Sequence, residues 1–135
     1  SLKYNPQNLG VLNNYSYYLS LAHRDLDKAE TMSSITIKAE PTNPTYLDTY
    51  GWILFMQGAY TTAKIYLENA LKYSEEKDKE VSAEVLEHYG DVLYMTDDKE
   101  NAVIYWERAK EKGSESQTLD EKIKTRTFIA SKPMK

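Results

Sequence analysis

Apolar positions along this chain fall into two alternating phrases. The first occurs as Leu12-x-x-Tyr15-Ser16-x-x-Leu19, Leu47-x-x-Tyr50-Gly51-x-x-Leu54 and Leu86-x-x-Tyr89-Gly90-x-x-Leu93. Each is answered by a second: Ala29-x-x-x-Ser33-x-x-Thr36, Ala63-x-x-x-Leu67-x-x-Ala70 and Ala102-x-x-x-Trp106-x-x-Ala109. Apolar residues three and four apart mark one face of an α-helix, so each unit reads as two helices. The periodicity predicts helices at about 9 to 22, 26 to 39, 44 to 57, 60 to 74, 80 to 95, 99 to 112 and 117 to 130.

The polar residues between them act as punctuation. Asn43 is placed to cap a helix with Pro44 at its first position, where a missing N–H costs least. Gly58, Gly113 and the Asp97-Asp98 pair end others. The second phrases stand 34 residues apart between Ala29 and Ala63 but 39 between Ala63 and Ala102. The extra residues fall in Glu75-Glu76-Lys77-Asp78-Lys79-Glu80, a solvated charged run expected to lengthen both helices it joins. Asn5-Pro6-Gln7-Asn8 repeats the character of Glu40-Pro41-Thr42-Asn43, which closes one unit and opens the next. The chain therefore reads as the C-terminal fragment of a longer array.

Within a pair, helices can approach to about 8 Å only where small side chains meet. Gly51 and Gly90 on the first helices, with Ala63, Ala70, Ala102 and Ala109 on the second, supply them. Larger residues such as Tyr50, Leu54, Leu67, Tyr89, Leu93 and Trp106 fill the space between pairs. With a period near the expected 34, residues 12 to 112 resemble the tetratricopeptide repeat. The resemblance implies an all-α, right-handed superhelix of three antiparallel helix pairs, at about 9–42, 43–77 and 80–114, plus a capping helix at about 117–130. Ser16, Ser33 and Thr36 make the first unit degenerate, and only that unit keeps a closing proline, Pro41. The capping helix carries Leu119, Ile123, Thr127 and Ala130 on one side, with Lys122, Lys124 and Arg126 turned toward solvent.

In tetratricopeptide arrays the first helix of each pair lines a concave groove. By that resemblance the groove residues are Asn13, Tyr17, Asp48, Thr49, Trp52, Phe55, Glu84, Glu87, His88, Asp91 and Tyr94, with Met56 and Met95 as adaptable apolar surface. Trp52, about 100° round the helix from Gly51, is expected to be exposed and to anchor a partner, so that its loss would leave stability nearly unchanged. One use of such grooves is a clamp of lysine, arginine and asparagine on a chaperone peptide's terminal carboxylate. Tyr17 and Thr49 stand where asparagine would be needed, and Glu84 and His88 where lysine and arginine would. The expectation is therefore no affinity for acidic chaperone tails and a preference for apolar or basic segments.

Composition narrows the rest. The 135 residues suffice for one domain, and 12 Tyr against 2 Phe suit half-buried helix faces. A formal charge of −4 offers no field to gather nucleic acid. No apolar run approaches the roughly 20 residues of a membrane span. With no cysteine there is no disulfide or thiolate site. Glu84, Glu87, His88 and Asp91 share helical spacing but contain one histidine, so no metal or other cofactor is expected. No nucleophile, phosphate loop or set of opposed carboxylates is visible, so no catalysis is expected either. The leading function is a scaffold that binds a peptide or protein segment. The alternative is a structural end-segment of a longer solenoid or a homodimer module, with Leu9, Val11, Leu12 and Tyr18 covering a neighbour. The phrases Leu47-Asp48-Thr49-Tyr50-Gly51-Trp52 and Glu87-His88-Tyr89-Gly90-Asp91 resemble the C-terminal repeats of bacterial envelope-associated tetratricopeptide proteins, which implies a periplasmic or outer-membrane-facing location.

Overall fold

One turn recurs at the ends of four helices. Four residues after Leu19, Leu54, Leu93 and Ala109 the backbone swings to positive φ, at His23 (55°), Gly58 (87°), Asp97 (68°) and Gly113 (91°). The following N–H then reaches back to that leucine or alanine carbonyl: Arg24 at 3.0 Å, Ala59 at 2.9 Å, Asp98 at 2.8 Å and Ser114 at 3.1 Å. Such bonds satisfy carbonyls that a helix end leaves open. Glycine takes this conformation freely, and aspartate and histidine are among the few other residues that do.

The computed structural model describes residues 8–78 and 80–133, and within them finds no strand. Its helices are α1 (Leu9–Leu21), α2 (Leu26–Ala39), α3 (Pro44–Met56), α4 (Tyr60–Asp78), α5 (Ala83–Met95), α6 (Lys99–Glu111) and α7 (Leu119–Thr125). Asn5, Pro6, Gln7 and Lys135 lie outside the described residues. Asn43 caps α3 as expected, accepting from the N–H groups of Thr45 at 3.0 Å and Tyr46 at 3.2 Å. Ser82 and Asp98 cap α5 and α6 in the same way.

Two expected boundaries are corrected. The charged run lengthens α4 alone, because Ser82 caps a later start for α5 and buried Val81 holds the approach to it. The last helix is far shorter than 117 to 130: it ends at Thr125, and Arg126 turns to a φ of 56°. Thr127 and Ala130 therefore belong to no helical stripe.

Helices pack as the pairs α1 with α2, α3 with α4 and α5 with α6, while α3 also lies against both α1 and α5. The crossings show why small residues stand there. A Cβ on Gly51 would come within 2.7 Å of Leu67 Cγ, and one on Gly90 within 2.6 Å of Trp106 Cδ1. Ala63, Ala70, Ala102 and Ala109 are fully buried beside them. One continuous core runs from Leu47 on α3 to Leu119 on α7, and a smaller one joins Leu19, Ala29 and Ile53.

Candidate functional site

With α1 on one side and α5 on the other, α3 has little circumference left for solvent. This corrects the expected exposure of Trp52, which is 8% exposed. The indole is the middle of a three-layer stack, 4.6 Å from Phe55 at 9° and 4.1 Å from His88 at 14°. Phe55 in turn meets Tyr60 at 5.0 Å and Phe128 at 5.4 Å, both edge-on. The Trp52 N–H is buried without a partner.

His88 is fixed on its other side by Asp48, whose carboxylate oxygens lie 3.0 and 3.2 Å from Nδ1. Burial works against the imidazolium, but Asp48, aided by Glu84 and Asp91, outweighs it and raises the His88 pKa to about 9. At neutral pH a positive ring therefore lies flat on the indole, an arrangement favoured by the quadrupole of the π face.

One turn along α5, Glu87 and Asp91 share a cation that the helical pattern assigned to solvent. Lys122 is 2% exposed, and its ammonium sits 2.8 Å from both Glu87 Oε2 and Asp91 Oδ1. This is corrected by the cation's need for partners: a lysine is buried only when its charge is matched. Glu87 also accepts from Ser116 at 2.7 Å and Ser114 at 3.2 Å, while Asp91 accepts from the Trp106 N–H at 2.9 Å. Contrary to expectation, the two carboxylates are set against each other. Burial raises both, but at Glu87 Lys122 and Ser116 prevail and hold the pKa below its ordinary value. At fully buried Asp91 burial prevails over Lys122, and the pKa rises to about 6.

These groups border a cleft of about 910 Å³. Its walls come from α1 (Tyr17, Ser20), α3 (Trp52, Met56), α5 (Ala83, Glu84, Glu87, His88, Asp91), the turn from Gly113 to Thr118, Lys122 of α7, and Phe128 to Lys132. Tyr17 donates to Glu84 at 2.6 Å, and its hydroxyl pKa is driven up by burial and by the carboxylates of Glu84 and Asp48.

Of the residues expected in the groove, Tyr17, Trp52, Glu84, Glu87, His88 and Asp91 border this cleft. The others lie elsewhere. Asn13, Asp48, Thr49 and Phe55 are buried behind it, and half-buried Tyr94 stacks toward Trp106 at 6.0 Å with Lys99 above its ring. Sequence reasoning missed Lys122, Ser116 and Phe128 as part of this wall. A signal for Lys122 was present: it follows Leu119 by three, on that residue's buried face, while Glu87 and Asp91 sit four apart on α5 and need a cation.

This architecture, three antiparallel pairs with their first helices side by side and a further helix closing the end, is the tetratricopeptide-repeat fold. Among solved structures it matches the "First TPR of Spaghetti (RPAP3) bound to HSP90 peptide SRMEEVD", with a TM-score of 0.73 and 14% identity, over 93% of this chain and 95% of that one. No protein-family model and no curated protein matches the chain. The comparison corrects one expectation. A domain of this fold is solved on an acidic chaperone tail, so the exclusion of such tails, and the preference for apolar or basic segments drawn with it, does not stand. The physical reason lies in the same residues. Glu84 is engaged by Tyr17 and His88 is held positive, so the substitutions do not add up to a uniformly repelling surface.

Proposed function

We propose that this domain is an interaction scaffold that holds a peptide or protein segment in the groove bordered by α1, α3 and α5, without catalysis of its own. The observation that carries the reading is the cleft itself, about 910 Å³, in which the rings of Tyr17, Trp52 and Phe128 stand among charged and hydroxyl side chains. Rings to anchor side chains and polar groups to meet a backbone are what a peptide-recognition groove uses. The buried ionisable groups support the non-catalytic part: Glu87 and Asp91 are engaged by Lys122 and His88 by Asp48, so none of these five is a free acid or base. The neighbour solved with a peptide lends the fold-level analogy.

The test is a library of short peptides of both charge signs, screened against the domain and measured by fluorescence anisotropy. Selected peptides are expected to bind at least fivefold more weakly to Tyr17→Ala and Glu84→Ala, with circular dichroism reporting that both variants are folded. Equal affinity for wild type and both variants would move the site away from this groove.

A second reading is favoured by the outer face of α1, where Val11 is 67% and Tyr15 43% exposed, four residues apart on one side. There the domain would associate with a second copy or an adjoining helix pair. Sedimentation at rising concentration decides it, a strict monomer counting against self-association. The proposal extends to a bacterial, envelope-facing setting, supported by the phrasing from Leu47 to Trp52 and Glu87 to Asp91; fractionation that finds the native protein wholly in the cytoplasm would remove it.

A further inference from the structure

Beyond α7 the chain reverses at Arg126 and runs without helical structure to Pro133. Phe128 to Lys132 thereby become part of the cleft wall. Phe128 is half-buried, its ring edge-on to Phe55 at 5.4 Å and 5.3 Å from the Lys122 ammonium. Among the described residues, no hydrogen bond ties this segment to the groove. The hydrogen bond it makes there joins the hydroxyls of Thr127 and Thr125 at 2.7 Å, a contact with its own neighbour. Residues on either side of Phe128 and Ile129 are exposed. A non-helical segment lying along a groove, with Phe128 and Ile129 half-buried against it, has the form of a bound peptide.

We propose that Phe128 fills an aromatic subsite of the groove from within the same chain, and that the partner segment brings a Phe, Tyr or Trp side chain to that subsite, displacing residues 127–133. The inference rests on the groove reading above and adds the chemistry of the anchor. Phe55 offers an aromatic partner for edge-on contact, and Lys122 offers a cation fixed in place by Glu87 and Asp91. Both contacts reward a π ring over an aliphatic side chain of equal size. The tether is short, three residues from the end of α7 to Phe128, so the internal ring competes at a high effective concentration. The partner's affinity is lowered by the fraction of molecules in which Phe128 is seated.

The test uses the full chain and two labelled peptides. One is Arg-Thr-Phe-Ile-Ala-Ser-Lys-Pro, the sequence of residues 126–133; the other has Ala in place of Phe. Anisotropy titrations are expected to show the Phe peptide binding Phe128→Ala about tenfold more tightly than wild type, with the Ala peptide gaining nothing. Phe128→Leu, which keeps apolar volume but no π face, should fall between, and circular dichroism reports that each variant is folded. Equal binding of the Phe peptide to wild type and Phe128→Ala overturns the proposal. So does equal binding of the two peptides, or no binding of either. Library peptides separate this failure from failure of the groove reading. Peptides that bind wild type and Phe128→Ala equally, yet lose affinity on Tyr17→Ala, remove the internal competitor and keep the groove. Peptides indifferent to all of these substitutions remove both.

Discussion

The first and third helix pairs solve one packing problem with opposite chemistry. At the α5–α6 crossing Gly90 receives the Cδ1–Nε1 edge of Trp106, and polar side chains bond between elements: Trp106 to Asp91, and Lys122 of α7 to Asp91 and Glu87. At the α1–α2 crossing Ser16, Ser33 and Thr36 are fully buried, and such hydroxyls as find a partner turn back on their own helix. Ser16 donates to the Asn13 carbonyl at 3.0 Å and Thr36 to that of Ser33 at 2.6 Å. Bonds of that kind satisfy the hydroxyl without tying one helix to the next. The fold thus requires smallness at the crossing and tolerates either polarity. What differs is how much each crossing resists being pulled apart.

That difference can be broken from the strong end first. Lys122→Met removes the cation shared by Glu87 and Asp91 and leaves two buried carboxylates facing each other. The expected loss is about 3–5 kcal/mol, read from urea unfolding. A loss below about 1 kcal/mol would mean that the ionic cluster does not hold α7 to the third pair.

Next comes alkali. The folded His88 pKa is raised from 6.5 to about 9, so the folded state holds a proton that the unfolded chain releases earlier. Its contribution is complete below pH 6.5 and is lost as pH rises through about 9. By linkage the loss is about 3 kcal/mol. Unfolding measured across that window should show the decline in wild type and a much flatter profile in His88→Gln. Parallel profiles would remove His88 as the cause.

The glycine sharpens the contrast further. Gly90→Ala would press a methyl to 2.6 Å from the Trp106 ring and 3.0 Å from the Ala102 carbonyl. It should cost about 1–3 kcal/mol, whereas Ser16→Ala, at the equivalent place in the first pair, should be near neutral because a Cβ is already accommodated. Equal costs would show that the two crossings are equally tight. The smallest expected effect is a gain. The Ser33 hydroxyl is buried with no partner, so Ser33→Ala should stabilise by about 1 kcal/mol, seen as a raised thermal midpoint.

The helices were legible because their apolar spacing and their stops agree: α2 begins and ends where the spacing puts it, and Asn43-Pro44 opens α3 as the pair implies. Trp52 was misread for a geometric reason. Rotation from Gly51 identifies an exposed side only when one face is packed, and α3 has helices on both flanks. The run Trp52-Ile53-Leu54-Phe55-Met56 held that information, since a helix apolar all round is a buried one. The end of α7 was not legible, because Arg126 adopts a left-handed conformation with no glycine to announce it. Lys122 and Phe128 depend on long-range partners, and spacing within one helix is silent about those.

The stack of Phe55, Trp52 and His88 also has an optical consequence. A cationic imidazole 4.1 Å from an indole and nearly parallel to it is positioned to accept an electron from the excited ring. Trp52 should therefore be dim at neutral pH, leaving Trp106, the other of the chain's two tryptophans, to dominate the emission. Brightness should recover as His88 loses its proton near pH 9. The stack thus reports the protonation of His88 through the light of its own neighbour, readable without any added dye.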